Sequence, residues 1–280
     1  MRIQEQQSPH IMVSPLRELL ETATPPYTEV AMRLLFCTTL CAGNHRYRLR
    51  EIEFYGSDDP YTHQGDEQVS TCGGWYFHRT KPRGGNWKGG TFQGLDISFA
   101  PIGIAGGILI RGMSRCVEDH GTNDTPSTGS GQPYYCYYDG PCNCTRELLK
   151  ACGVDTIKEL VDQPEFQLCA LTDHGILRLE EHEPLPVDNE KQHGTMEWKA
   201  TSRVGLSLPE KKPNQLQARQ QYHRKPLRFL SAPFETKKEK TNIQQSTIGG
   251  LYSYAMHHQD HILLPSTTGK RKRTRPVPTK

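Results

Sequence analysis

One strand-like segment, RYRLREIEFY, which ends at Tyr55, constrains the fold more than any other part of the chain. Side chains alternate between the two faces of a β-strand, so Ile52 and Phe54 share one face while Glu51, Glu53 and Tyr55 share the other. The apolar pair indicates the face that points into a core. The segment therefore predicts a half-buried strand whose second face carries either solvated charges or a functional site.

Further predicted strands and helices indicate the fold class. Apolar runs at 92–99 and 107–113 predict two more buried strands, and the Gly-rich residues 56–90 between them and the first strand predict a long loop region. Helices are predicted at 145–151 and 156–161. Short strands with long connections favour the α+β class. We expect a single mixed domain with a curved, largely antiparallel sheet and surrounding helices.

Composition suggests the boundaries of this domain. Residues 25–235 contain the predicted strands and helices, with a Gly/Ser/Thr-rich stretch at 117–133 that predicts a flexible insertion. Residues 1–24 are polar apart from one short leucine-striped helix candidate and predict a flexible N-terminal segment. Residues 236–280 predict a polar, basic tail.

Charge is unevenly distributed along the chain. The net charge is only +3, yet residues 201–280 carry 16 Lys+Arg and four Asp+Glu, whereas residues 116–200 carry six and 16. Such asymmetry favours an anionic partner, and the run KRKRTR is typical of nuclear import signals or nucleic-acid patches, so we expect a nuclear protein. No apolar run approaches the ~18 residues of a membrane span, and the N-terminus lacks the apolar core of a secretory signal, so we expect no membrane association.

The loop after the strand adds chemically useful groups. The sequence GSDDPYTH places Asp58, Asp59 and His63 directly after Tyr55. A carboxylate beside an aromatic ring and a histidine can activate a water molecule as a general base, while the ring stacks on a planar ligand. A lone Glu-x-Glu pair is more often a solvated face, and the loop is what favours the functional interpretation.

The motif EIEFYGSDDPYTH resembles the signature of the alkyladenine (3-methyladenine) DNA glycosylase family, in which Glu-x-Glu-x-Tyr precedes an acidic turn and a histidine. Further segments resemble the family's remaining motifs in the expected order. They are GLDIS (94–98), GILIR (107–111), DGPCNCTRELLKACGV (139–154), SRVG (202–205) and RKPLRF (224–229). The resemblance thus spans residues 25–233 and identifies the chain as a divergent member.

The resemblance implies a formyltransferase C-terminal-like fold and a monofunctional N-glycosylase of base-excision repair. Such an enzyme acts as a monomer on double-stranded DNA, flips out an alkylated or deaminated purine and hydrolyses its glycosidic bond, leaving an abasic site. It uses no cofactor and no metal.

Residue by residue, the resemblance assigns roles to four positions. Glu53 would be the general base for the attacking water, and Arg111 would orient that water or bind the 5′ phosphate. Tyr55 would stack on the flipped base, and His63 would contact the base or the phosphate beside it.

Two positions depart from the family pattern in the expected base pocket. His78 stands at the second tyrosine of a Tyr-x-Tyr strand, within WYFH, and adds a titratable donor. Asp96 stands where the family has asparagine. A second carboxylate near Glu53 would raise one of the two pKa values and favour a cationic base.

Candidate DNA contacts lie in two basic segments. The insertion RTKPRGGNWKGG contains Arg83, Trp87 and Lys88. Trp87 is either a wedge into the duplex, flanked by phosphate contacts, or an ordinary packing residue of the loop. Lys225 and Arg228 are expected to supply one phosphate contact and one structural ion pair, in an order that the sequence leaves open.

Three other functions remain compatible with these residues. The first is a catalytically impaired module that binds damaged DNA, and the second is a nucleoside or RNA N-ribohydrolase. The third is a structural zinc protein, which would use the cysteine group Cys136, Cys142, Cys144 and Cys152. A Cys-x-Cys pair without a second pair at matching spacing is a weak zinc signal, so buried or surface thiols are the competing interpretation.

Overall fold

The computed structural model describes five stretches of the chain, which are residues 16–22, 25–117, 134–183, 198–206 and 219–231. All of the predicted tail and, except for its first residue, all of the predicted insertion lie outside the described residues.

Helices and strands alternate irregularly along the described chain. The helices are α1 (Leu16–Leu20), α2 (Tyr27–Phe36), α3 (Asp66–Ser70), α4 (Pro141–Ala151) and α5 (Ile157–Val161), with a 3₁₀ helix at Gly90–Phe92. The strands are β1 (Thr38–Ala42), β2 (His45–Tyr55), β3 (Trp75–Phe77), β4 (Leu95–Ser98), β5 (Gly107–Val117), β6 (Tyr134–Asp139), β7 (Leu177–Glu181), β8 (Trp198–Thr201) and β9 (Arg228–Ser231).

The strands form one curled antiparallel sheet with β2 at its centre. The hydrogen-bonded order is β3-β4-β5-β2-β1-β7, while β6 extends from β5 and the β8-β9 pair joins β2. One edge of β2 pairs with β5 along most of its length, and the other edge pairs first with β1 and then with β9. The sheet and its helices confirm the mixed α+β, single-domain prediction.

The two faces of the sheet differ in chemistry as the alternation in β2 predicts. Ile52 and Phe54 are fully buried in the hydrophobic core, where the Phe54 ring contacts the edge of Phe229 at 5.5 Å between centroids. Residues that pair across adjacent strands share a face, so Glu53, Leu109 and Asp96 all lie on the opposite side. That side is called the polar face below.

Helices α1 and α2 cover the apolar face. On α2, Val30, Ala31, Leu34 and Leu35 are buried. The three leucines of α1 are also buried, at 7 % exposure or less. Residues 16–20 are thus part of the packed domain, although they belong to the segment 1–24 that the sequence predicts to be flexible. The leucine stripe buries enough apolar surface to hold this short helix in place.

The strand predicted from Phe92 begins three residues later. Phe92 ends the 3₁₀ helix with 75 % of its surface exposed, and β4 starts at Leu95. Glycines explain the difference: Gly90 has φ +60°, and a Cβ on Gly94 would lie 2.6 Å from the His78 ring. The chain therefore turns through residues 89–94 before it joins the sheet.

Among the described residues, no helix combines the length and the apolar character that spanning a bilayer requires.

Candidate active site

A row of paired residues across the polar face places the candidate site. Arg228 on β9 pairs with Glu53 on β2, Glu53 with Leu109 on β5, Leu109 with Asp96 on β4, and Asp96 with Tyr76 on β3. Adjacent strands are ~4.8 Å apart, so the backbones at Glu53 and Asp96 are separated by about 10 Å. The row brings residues from five strands to one surface.

Two clusters lie along this row. The carboxylate–arginine cluster comprises Glu51, Glu53, Arg111 and Arg228. The histidine–aspartate cluster comprises His63, His78 and Asp96. Leu109, at 6 % exposure, lies between them.

Glu53 is fully buried and held from three sides. One oxygen accepts a hydrogen bond from the Tyr55 hydroxyl at 2.8 Å, and the other accepts one from the Val204 backbone N–H at 2.9 Å. Arg111 Nε lies 3.4 Å from the second oxygen. Burial raises the pKa of the Glu53 carboxyl above its usual 4.5, although Arg111 and the two hydrogen bonds oppose the shift. A carboxyl with a raised pKa and a fixed orientation suits proton transfer.

The like charge that helps to raise the pKa of Glu53 comes from Glu51. Asp96 was expected to supply it from the sequence. Asp96 lies two strands away from Glu53 and contacts Gln68 and His78 instead. Glu51 in turn accepts hydrogen bonds from Arg228 Nε at 2.6 Å and Arg111 Nε at 2.9 Å.

Arg228 is the structural ion pair of its segment. Its side chain is 1 % exposed and contacts the buried Glu51, so of the two roles that the sequence left open for Lys225 and Arg228 it takes the ion pair and does not reach a phosphate from this position. Lys225 is half-buried, and its ammonium group lies 3.6 Å from the centroid of the Tyr222 ring. Of the two basic residues, only Lys225 retains access to solvent.

A β-bulge positions Arg111. Gly112 pairs with Glu51 and Ile110 pairs with Ile52, so Arg111 is an extra residue on β5 that faces no partner on β2. Bulges redirect a side chain out of the regular alternation. The bulge places the Arg111 guanidinium between Glu51 and Glu53, whose charges outweigh the effect of burial and raise the pKa of Arg111.

Arg203 and Asp59 support the site, and sequence reasoning assigned neither a role. The two form an ion pair that is completely buried. The Arg203 guanidinium covers the Tyr55 ring at 4.4 Å from its centroid, so a ligand stacked on Tyr55 must use the other ring face. Asp59 also accepts a hydrogen bond from the Tyr61 backbone N–H at 3.0 Å, which shapes the loop that leads to His63. The SRVG and DDP segments contain these residues, but their pairing requires the fold.

The histidine–aspartate cluster joins three segments. His78 Nε2 lies 2.8 Å from one oxygen of Asp96, and Gln68 Nε2 donates to the other oxygen at 2.9 Å. The rings of His63 and His78 meet edge to face, with centroids 4.2 Å apart. Burial lowers the pKa of His63 to about 4, and the charge of His78 adds to this effect while Asp96 opposes it. The two departures from the family pattern, His78 and Asp96, are therefore direct partners.

The loop between β3 and β4 carries the remaining candidate DNA contacts. The Arg83 side chain is 79 % exposed, whereas Lys88 is half-buried and donates a backbone hydrogen bond to His78. Trp87 is partly buried, and the Arg79 guanidinium lies 4.9 Å from its ring centroid. This geometry favours the packing interpretation of Trp87 and leaves Phe92 as the exposed apolar side chain of this connection.

The candidate zinc cysteines do not converge. Cys144 and Cys152 are buried on or beside α4. Within the described part of the chain, the group of potential ligands that lies close enough to hold a metal ion contains His63, His78 and Asp96 and no cysteine.

No protein-family model matches this chain, and no curated protein matches it. The likeness to the alkyladenine DNA glycosylase family therefore rests on the motif resemblance alone.

Proposed function

We propose that the protein is a DNA N-glycosylase that removes alkylated or deaminated purines and leaves an abasic site. The observation that supports it most is the setting of Glu53, a dry carboxylate that Tyr55, Val204 and Arg111 hold at the centre of the polar face. A base-excision enzyme needs a fixed proton acceptor beside an aromatic surface that stacks on the base, and groups that hydrogen-bond the edge of the base.

In the proposed reaction, Glu53 accepts a proton from water while the water oxygen forms a bond to the sugar C1′. The N-glycosidic bond breaks, and its electron pair leaves with the purine. Positive charge develops on the sugar in an oxocarbenium-like transition state, which the Glu53 carboxylate stabilises. For a cationic alkylated purine, that electron pair neutralises the leaving group, so a single carboxylate is sufficient.

The remaining residues of the polar face suit base recognition. Leu109 lies between the two clusters as an apolar surface, and Tyr55, whose ring Arg203 covers on one face, would stack on a base with its other face. His63, His78 and Asp96 line the far end, where the Asp96 backbone is about 10 Å from that of Glu53, and they can hydrogen-bond the edge of an extruded purine there.

DNA contacts are proposed for three basic side chains, of which Arg83 is exposed and Lys88 and Lys225 are half-buried. Arg83, Lys88 and Lys225 would contact phosphates, and the basic run at 270–275 would add electrostatic attraction from outside the described residues. For the wedge that fills the gap in the duplex we propose Phe92, because it is an exposed apolar residue two positions before Gly94, whose carbonyl accepts a hydrogen bond from His78 N–H.

One observation favours a second candidate, a module that binds damaged DNA without turnover. Glu53 has no exposed surface, so an attacking water needs access that this arrangement does not provide by itself. The same pocket would then read the base but not cleave its bond.

Excision from duplex oligonucleotides that contain hypoxanthine, ethenoadenine or 7-methylguanine separates the two candidates. The glycosylase proposal expects the wild type to release at least one of these bases and Glu53→Gln to release none. Tighter binding of damaged than of undamaged duplex, without release by either protein, would replace the proposal with the binding module. Release of free bases from nucleosides or RNA but not from duplex DNA would indicate an N-ribohydrolase instead.

A further inference from the structure

The histidine–aspartate cluster has the composition of a metal site. Its two imidazoles and one carboxylate each offer one ligand atom, and these atoms all lie within 4.8 Å of one another. Two histidines and a carboxylate are a common donor set for Zn²⁺ and for Fe²⁺, Co²⁺ or Ni²⁺. We propose that His63, His78 and Asp96 bind a single divalent transition-metal ion, with Zn²⁺ as the reference case.

The three ligands come from separate elements that the sheet holds together. Asp96 is on β4, His78 directly follows β3 and His63 is on the loop after β2. Register fixes the first two, because Tyr76 pairs with Asp96 and His78 Nε2 lies 2.8 Å from Asp96 Oδ1. Asp96 and His78 are 3 % and 13 % exposed in their side chains, so the site is largely shielded from water.

A second layer of hydrogen bonds orients the carboxylate. Gln68 Nε2 donates to Asp96 Oδ2 at 2.9 Å, and Gln68 Oε1 accepts from the Gly65 backbone N–H at 3.1 Å. Oδ1 is thereby directed at the two histidines. Outer-layer hydrogen bonds of this kind orient metal ligands, and their loss commonly lowers affinity 10–100-fold.

The His63 side chain can rotate towards the other two ligands. Within the described residues, no side-chain hydrogen bond holds the His63 ring, whose centroid is 4.2 Å from that of His78. Donor atoms in a tetrahedral zinc site are about 3.3 Å apart, given Zn–N distances of ~2.0–2.1 Å. A modest rotation of the His63 side chain brings its nitrogen from within 4.8 Å to this separation.

Three protein ligands leave a fourth position for water or an exogenous ligand, as in open rather than structural zinc sites. One consequence rests on the proposed function: the same three residues are its base-binding groups, so a bound ion and an extruded purine exclude one another. Metal binding itself does not depend on that function.

Titration of the full-length, chelator-treated protein with Co²⁺ and then Zn²⁺, without DNA, tests the site directly. We expect one equivalent of Co²⁺ to give the visible spectrum of a nitrogen–oxygen site without a thiolate charge-transfer band, and Zn²⁺ to displace it. His78→Gln and Asp96→Asn should each weaken binding at least tenfold, and Gln68→Met should weaken it less. His174→Gln, which alters an exposed histidine outside the cluster, is the matched control.

Equal affinity in the wild type and the His78→Gln variant would overturn the proposal, as would a thiolate band or the absence of binding. Urea unfolding of each variant distinguishes loss of the site from loss of the fold. His63→Gln, at a half-buried ligand position, supplies a variant that leaves the buried Asp96 contacts with His78 and Gln68 intact. A glycosylase that binds no metal would refute this inference alone, and a metal-binding protein without excision would refute only the proposed function.

Discussion

The carboxylate–arginine cluster and the histidine–aspartate cluster lie on the same face of one sheet, yet they balance charge differently. In the first, two buried carboxylates face two arginines at 2.6–3.4 Å. In the second, one carboxylate faces two half-buried histidines, and the pKa of one of them, His63, is lowered to about 4. Arginines match the two buried carboxylates of the first cluster, whereas the charge of the second cluster changes with pH as His63 titrates.

Under the proposed function, this difference gives distinct tasks to the two ends of the row. Buried ion pairs are expensive to form, and they are rigid once each charge is matched. Such rigidity suits a catalytic carboxylate whose position must not change. Imidazoles beside a carboxylate can instead bind a base edge or a metal ion, which suits recognition.

The largest loss of stability should come from removing an ion pair of the carboxylate–arginine cluster. Arg228→Met leaves the charge of Glu51 without its closest partner in a dry environment, which costs about 3–5 kcal/mol of unfolding free energy. Urea unfolding at neutral pH measures it. The double variant Arg228→Met/Glu51→Leu removes both charges and should recover most of the loss. A cost below about 1 kcal/mol for the single variant would mean that the cluster is not tightly coupled.

The histidine–aspartate cluster should make the unfolding free energy depend on pH. Because the folded pKa of His63 is about 4 against 6.5 unfolded, its neutral form stabilises the fold above pH 6.5, and that stability is lost as pH falls towards 4. His63→Gln lacks this dependence. The unfolding free energy of the wild type should therefore fall relative to that of the variant by up to about 3 kcal/mol across this range.

The measurement is urea unfolding of both proteins with a chelator present, at several pH values from 7 to 4. A constant difference between the two proteins across the range would show that His63 titrates normally and that the second cluster is not buried as described.

Adding a methyl group at Gly94, beside the histidine–aspartate cluster, should destabilise the protein by an intermediate amount. A Cβ on Gly94 would lie 2.6 Å from the His78 ring, whereas one on Gly89 meets nothing within 4 Å, and neither glycine has a positive φ. Gly94→Ala should destabilise by about 1–3 kcal/mol through overpacking. Gly89→Ala should be near neutral, and thermal unfolding of the two variants side by side checks the contrast. Equal melting temperatures would contradict the close packing of His78.

The smallest effect on stability belongs to a residue outside both clusters. Arg83→Ala changes an exposed side chain and should alter the unfolding free energy by less than about 0.5 kcal/mol. Under the proposed function it should weaken binding to all duplexes alike and reduce the slope of log affinity against log salt by about one. An unchanged salt dependence would remove Arg83 from the DNA contacts.

Alternation in β2 correctly predicted which side chains face the core and which form the polar face, because period-two patterning depends on the strand alone. The hydrogen-bond partners of Glu53 could not be predicted from the sequence in the same way. Arg111 reaches it through a bulge, and Val204 approaches from a segment 151 residues away in sequence. Both contacts depend on the register of the strands and on a distant segment that folds back beside β2, and a single sequence does not reveal either.

The histidine–aspartate contact illustrates the same limit. His78 and Asp96 each stood out from the family pattern, but their proximity depends on the β3-β4 register, in which Tyr76 pairs with Asp96. The strand expected from Phe92 was wrong because Gly94 and Gly90 turn the chain first. The N-terminal leucines were assigned to a flexible segment because a five-residue helix gains its stability only from tertiary packing.

The central claim, that Glu53 is the proton acceptor of a purine glycosylase, is tested most directly by single-turnover excision with Glu53→Gln. The substrate is a duplex with one 7-methylguanine or one hypoxanthine, and Glu180→Gln, on the distant strand β7, is the control. We expect a rate about 10²–10⁴-fold below wild type for Glu53→Gln, with damaged-duplex binding retained, and an unchanged rate for Glu180→Gln. A wild-type rate in Glu53→Gln would contradict it.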